Sequence, residues 1–191
     1  MSLSIAVVCS SNQNRSMEAH LLLSKKGFRV SSYGTGTHVR IPGASASQPN
    51  VFSFSTTYDE MYKTLISRDK ELYTRNGMLH MLDRNRRIKA HPERFQETND
   101  TFDIVITCEE RIYDAVLDDI ESRSSALARP VHVINIDVPD NHEDAMLGSI
   151  VMCDFCEMLR VSDDIDDDME RVIEATEVEY GKTILHTVAF Y

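Results

Sequence analysis

Residues 3–27 constrain this chain more than any other stretch. LSIAVV (3–8) is a short apolar run rich in β-branched residues and predicts a buried strand. SMEAHLLLSKK (16–26) has helical spacing with basic residues in its last turn, and Gly27 fits the position just past a helix end. Between them runs Cys9-Ser10-Ser11-Asn12-Gln13-Asn14-Arg15-Ser16, a small polar loop. A strand that turns tightly into a helix leaves backbone N–H groups converging on one point, which suits an anion such as phosphate. Small polar residues tolerate the unusual backbone angles this needs. Arg15 adds a planar fork that can take two phosphate oxygens. The same surroundings favour the thiolate of Cys9, which can attack phosphorus in line and form a cysteinyl-phosphate. By position, Ser16 can donate its hydroxyl to that sulfur and make it a better leaving group. A Cys and an Arg six positions apart form a weak pattern alone; the flanking strand and helix give it context. The bland alternative is a structural Cys ending a strand, with a surface Arg in the first helical turn.

Cleaving a phosphate ester also needs a proton for the leaving oxygen, and an Asp beside the loop is the usual donor. IDVPDNHED offers Asp137 and Asp140. Asp140 is preferred, because Asp137 can still belong to the strand before it. Alternatively Asp140 or Asn141 simply caps a helix that starts near His142.

Further along, residues 28–33 alternate like a second strand, and 34–50, rich in Gly, Pro and Ser, read as one long loop. Residues 57–89 read as two helices broken near Asn76-Gly77. Strands are expected at 102–107 and 131–138, and an amphipathic helix at 109–121. Residues 142–180 are helical with an interruption in the acidic stretch, and 183–190 form a last strand or an extended tail. This alternation argues for an α/β fold with a mainly parallel sheet, expected as a single domain over 1–191. Ligands of such sheets bind at the carboxyl ends of the strands, where Cys9, Cys108 and Asp140 all fall.

The formal net charge is -11, which disfavours direct nucleic-acid binding. No run approaches a membrane span, no secretory leader is expected, and four Cys are too few for a disulfide scaffold, so a reducing compartment is expected. No metal or organic cofactor is expected. Cys153 and Cys156 have the spacing of a redox or zinc pair, but a lone pair inside a helical pattern favours core packing. Cys108 could resolve an oxidised Cys9, though a buried neighbour is the simpler reading. His20 reads as packing or surface. The basic run 84–94 reads as a solvated face, and the acidic run 162–170 as an exposed helix or bend.

VCSSNQNRSMEAH, SYGTGTHVRIPG, NGMLHMLDRNRRIK, TCEERIYD, PDNHE and LHTVAFY together closely resemble the Ssu-seventy-two phosphatases. The resemblance runs over essentially the whole chain and is weakest at 122–130 and 157–180. It implies a three-layer fold like that of low-molecular-weight tyrosine phosphatases, helices covering both faces of the sheet, with extra helical and C-terminal elements. It implies removal of phosphate from the fifth-position phosphoserine of RNA polymerase II C-terminal heptads, with the following Ser-Pro bond cis. A prolyl isomerase would then assist indirectly, because cis proline is a slowly exchanging minority form. It implies Cys9 as nucleophile, Arg15 as phosphate ligand, Asp140 as general acid, loop residues 10–16 around the phosphate, and a groove lined by Arg40, Pro42, Met81, Leu82 and Thr187. It further implies a symplekin-like scaffold of the cleavage and polyadenylation machinery as partner, and a nuclear location. Two other readings compete: a small tyrosine phosphatase or arsenate reductase using the same loop, and a non-catalytic phosphopeptide-binding subunit, which would need neither Cys9 nor Asp140.

Overall fold

The computed structural model describes residues 3–123 and 128–191. Its central sheet has five strands in the order β2-β1-β5-β6-β7: Arg29–Gly34 (β2), Ser4–Cys9 (β1), Ile104–Thr107 (β5), Pro130–Ile136 (β6) and Ile184–Phe190 (β7). The first four are parallel and β7 runs antiparallel to β6. Every residue of β1 and β5 is buried, as expected of central strands covered on both faces. Side chains alternate between those faces. Ile5, Val7 and Cys9 point to one side, and Ala6 and Val8 to the other.

Three helices lie on the first side: Arg15–Lys25 (α1), His142–Arg160 (α5) and Ile165–Tyr180 (α6). Glu110–Ser122 (α4) covers the second side, with Phe95 and Phe102. The result is three layers. A further unit packs around its own apolar cluster, which Met17 of α1 joins. It consists of the hairpin Val39–Ile41 (β3) and Asn50–Phe52 (β4) and the helices Tyr58–Arg75 (α2) and Met78–Ile88 (α3).

Helix ends follow local chemistry. At the end of α1, Gly27 takes φ +82°, and the Phe28 N–H reaches the Leu23 carbonyl at 3.1 Å. Thr57 and Glu60 cap α2 reciprocally. Asn141 caps α5 and Asp164 caps α6. Inside α2, Asp69 leaves helical geometry, and its carboxylate accepts the Leu72 N–H at 3.0 Å, which restarts the helix.

The mainly parallel α/β sheet, the break near Asn76-Gly77 and the terminal strand match the sequence reading. The loop expected at 34–50 is more ordered, because it contains β3 and the start of β4. The helical interruption falls at 161–164, where Asp164 starts α6. Cys153 and Cys156 are buried in the α5 core. Burial and the neighbouring acidic side chains push both thiols up.

His20 lies between α1 and β2, with Nδ1 2.8 Å from Ser32 Oγ. Burial, helped by nearby Lys89, pushes its pKa down to about 4. The folded chain therefore resists a proton that the unfolded chain accepts near pH 6.5. The stabilising contribution is complete above about pH 6.5 and is lost progressively as the pH falls towards 4. Urea unfolding at pH 7 and at pH 4.5 should show a smaller acid-induced loss in His20→Gln than in wild type; equal losses would contradict this assignment.

Candidate active site

The loop between β1 and α1 is shaped by where its carbonyls go. Cys9 C=O accepts Thr35 N–H at 3.0 Å, and Ser10 C=O accepts Gly36 N–H at 2.9 Å. Asn12 C=O accepts the buried Tyr58 hydroxyl at 2.6 Å. Gln13 C=O accepts Arg84 Nη2 at 2.7 Å and Asn85 Nδ2 at 2.8 Å. Asn14 C=O accepts Glu18 N–H at 2.9 Å, within α1. A loop that spends its carbonyls on the surrounding scaffold leaves its N–H groups for an anion. Asn12 takes the left-handed conformation at φ +52°, an angle Asn tolerates. Gly34 admits the loop because a Cβ there would lie 2.6 Å from Ser10 O.

Cys9 Sγ sits 3.0 Å from Ser16 Oγ. Ser16 Oγ accepts Asn12 Nδ2–H at 2.9 Å, so its own proton is free for the sulfur. Asn12 is oriented in turn, because its Oδ1 accepts the Glu93 N–H at 3.0 Å.

Arg15 is buried. Its Nη1 donates to Glu109 Oε2 at 2.7 Å and to Val138 O at 2.9 Å. Its Nε is buried with no hydrogen-bond partner among the described residues, and lies 3.7 Å from Asp140 Oδ1. Burial disfavours the guanidinium charge, but Cys9, Cys108, Glu109 and Asp140 outweigh it and hold the pKa above its ordinary value. Asp140 is half exposed, and its carboxylate accepts Asn14 Nδ2–H at 3.0 Å. Cys108 is fully buried; burial, with Cys9 beside it, pushes its thiol well up.

Cys9, Ser10, Ser11, Gln13, Asn14 and Asp140 line one cavity, with Arg40, Pro42 and Met81 on its walls. Asn12, Arg15 and Ser16 sit behind these lining residues. Asn76, Gly77, Met78, Asn141 and His142 complete the lining, and nothing in their local sequence pattern signals it. Two residues assigned to the groove lie elsewhere. Leu82 is fully buried beneath α3 in the cluster with Tyr58 and Met61. Thr187 stands in β7 opposite Val133, well below the strand ends, and its hydroxyl bonds Tyr113. Asp137 also misses the cavity and accepts Asn135 Nδ2–H at 2.9 Å.

The basic run 84–94 is not simply a solvated face. Arg84 and Asn85 are buried against the loop, and Arg84 is paired with Glu18. Lys89 reaches the Ser32 carbonyl at 2.6 Å. The acidic run does lie in the exposed start of α6.

The sequence model of the Ssu72-like protein family matches residues 3–191. The chain belongs to the Ssu72 family. It is 56% identical over 189 residues to a Gallus gallus protein named as the RNA polymerase II C-terminal domain phosphatase SSU72, covering 99% of this chain and 97% of that one. It is 55% identical to the Homo sapiens protein of the same name over the same shares. Among solved structures, Drosophila melanogaster Ssu72 with symplekin, bound to a cis peptidomimetic of the C-terminal domain phosphorylated on its fifth-position serine, superposes with a TM-score of 0.97. That pair shares 53% identity, over 100% of this chain and 99% of the other.

The family's loop here depends on a buried phenol. Tyr58→Phe leaves the Asn12 carbonyl without its partner, at a cost of about 1–3 kcal/mol. Urea unfolding should show that loss, and calorimetry should show inorganic phosphate binding weakened about tenfold. Unchanged phosphate affinity would contradict the assigned role of Tyr58.

Proposed function

We propose that this chain is a cysteine-dependent phosphoserine phosphatase, one domain over residues 1–191, acting on Ser-Pro heptads of the RNA polymerase II C-terminal domain. The observation that carries the reading is Cys9 lining one cavity with loop residues Ser10, Ser11, Gln13 and Asn14 and with Asp140, its Sγ 3.0 Å from the Ser16 hydroxyl. The named activity of relatives at 55–56% identity supplies the substrate class. The Drosophila complex supports the fifth-position phosphoserine, the cis geometry and a symplekin-like partner. Nuclear work and indirect help from a prolyl isomerase follow from that substrate.

In the first step the Cys9 thiolate attacks phosphorus and the bond to the serine oxygen breaks. Asp140 gives that oxygen its proton. The loop N–H groups and the Arg15 guanidinium hold the equatorial oxygens, where charge sits in the transition state. Pairing to Glu109 fixes the guanidinium plane before substrate arrives. In the second step water attacks the cysteinyl-phosphate and Asp140 takes its proton. The departing thiolate is received by the Ser16 O–H, which Asn12 has aimed. Phosphate is released and both side chains return to their starting state. Pro42, Met78 and Met81 give the cavity an apolar wall suited to the proline that follows the phosphoserine. Cys9 and Asp140 both face the cavity, an economy a purely binding subunit does not require.

Phosphate release from a heptad peptide phosphorylated at the fifth position should be abolished in Cys9→Ser. Asp140→Asn should lower kcat about 10²–10⁴-fold on the peptide, and far less on an aryl phosphate, whose leaving group needs no proton. Equal losses on both substrates would remove Asp140 from the acid role. Turnover surviving Cys9→Ser would sink the cysteine mechanism.

A further inference from the structure

A second groove adjoins the catalytic cavity. It runs between α1, α3 and α5, and its lining includes Leu21, Lys25, His80, Ile88, His142 and Met146. His142 lines both spaces. Its ring meets that of His80 edge to face, with centroids 6.2 Å apart, so the two form the wall between them. Beside the groove α5 exposes an apolar stripe: Met146, Leu147 and Ile150 are 47%, 55% and 45% exposed. Ile150 lies four residues from Met146 and three from Leu147, so it neighbours both on the helix surface.

The charges in the groove are unevenly used. Glu18 pairs with Arg84, and Asp83 is shared between Arg86 and Arg87. Lys25 is exposed in the last turn of α1, and no carboxylate pairs with it among the described residues. In a chain of net charge -11, an unpaired cation in a groove that shares His142 with the catalytic cavity is an uncommon resource.

We propose that this groove binds a second, anionic stretch of the same phosphopeptide whose phosphoserine sits at Cys9. The inference rests on the phosphatase reading and extends it to substrate selection. An apolar side chain of the peptide would pack on Leu21, Ile88 and Met146, and a second phosphate would meet Lys25. The spacing follows from the helix. Lys25 lies ten residues along α1 from Arg15, a rise of about 15 Å. Extended peptide covers about 3.3–3.6 Å per residue, so the second phosphate belongs about four or five residues from the reactive one.

The test uses peptides with one phosphoserine, or with a second phosphoserine two or four residues away on either side. In wild type, kcat/KM should favour the four-residue spacing on one side by about fivefold, the scale of one exposed ion pair. Lys25→Glu should erase or reverse that preference, and Met146→Asp should weaken it. Turnover of an aryl phosphate should change less than about twofold in both variants, and turnover of the singly phosphorylated peptide less than about twofold in Lys25→Glu. A wild type indifferent to the second phosphate, or a preference that survives Lys25→Glu, overturns the proposal. If wild type releases no phosphate, the phosphatase reading fails separately. Fluorescence anisotropy with Cys9→Ser then decides the groove: tighter binding of the doubly phosphorylated peptide, lost on adding Lys25→Glu, upholds it, and equal binding overturns it.

Discussion

The outward turn of five loop carbonyls is the constraint on which the rest of the site depends. A backbone that binds phosphate must point its N–H groups one way, and its carbonyls need partners on the other side. Those partners come from far along the chain: Thr35 and Gly36 after β2, Tyr58 on α2, and Arg84 and Asn85 on α3. Only Asn14 is satisfied inside its own helix. The unit made of the hairpin, α2 and α3 is therefore both a wall of the cavity and the scaffold that holds the loop open.

The electrostatics follow the same division. The chain is acidic as a whole, yet two arginines are buried around the loop, each tied to a glutamate: Arg15 to Glu109 and Arg84 to Glu18. Arg84 directs its remaining donors to loop carbonyls, and burial lowers its pKa without that role requiring a ligand. Arg15 keeps a buried Nε unpaired. A buried donor without a partner is costly, and an incoming phosphate oxygen would satisfy it. One arginine is structural and the other is held ready.

Much of this was legible because it is local. The strand, loop and helix of residues 3–27 announce themselves through periodicity, a small polar linker and a terminal glycine, and the Cys9–Ser16 pair is seven residues apart. Asp140 was legible from its place after a strand, with Asn141 free to cap α5. What failed was long-range or side-specific. Nothing near Tyr58 signals a carbonyl 46 residues away. Arg84 looked like one charge in a solvated run, and only the tertiary fold turns it inwards. Leu82 follows Met81 directly, but neighbouring positions on a helix face different ways, so one lines the cavity and the other fills the core. Thr187 was placed by resemblance alone, and the antiparallel register of β7 carries it down the sheet from the rim. The three-residue strands β3 and β4 were too short for an alternation to show within a Gly- and Pro-rich stretch.

The central claim is that residues 10–16 form a preset oxyanion ring held open by distant partners. Titrating the protein with inorganic phosphate while following backbone amide resonances by NMR tests it most directly. The account predicts saturable shifts concentrated in the amides of residues 10–16, with the Arg15 Nε–H signal moving alongside them. Shifts spread over the surface, or confined to exposed lysines with the loop amides unmoved, would contradict it.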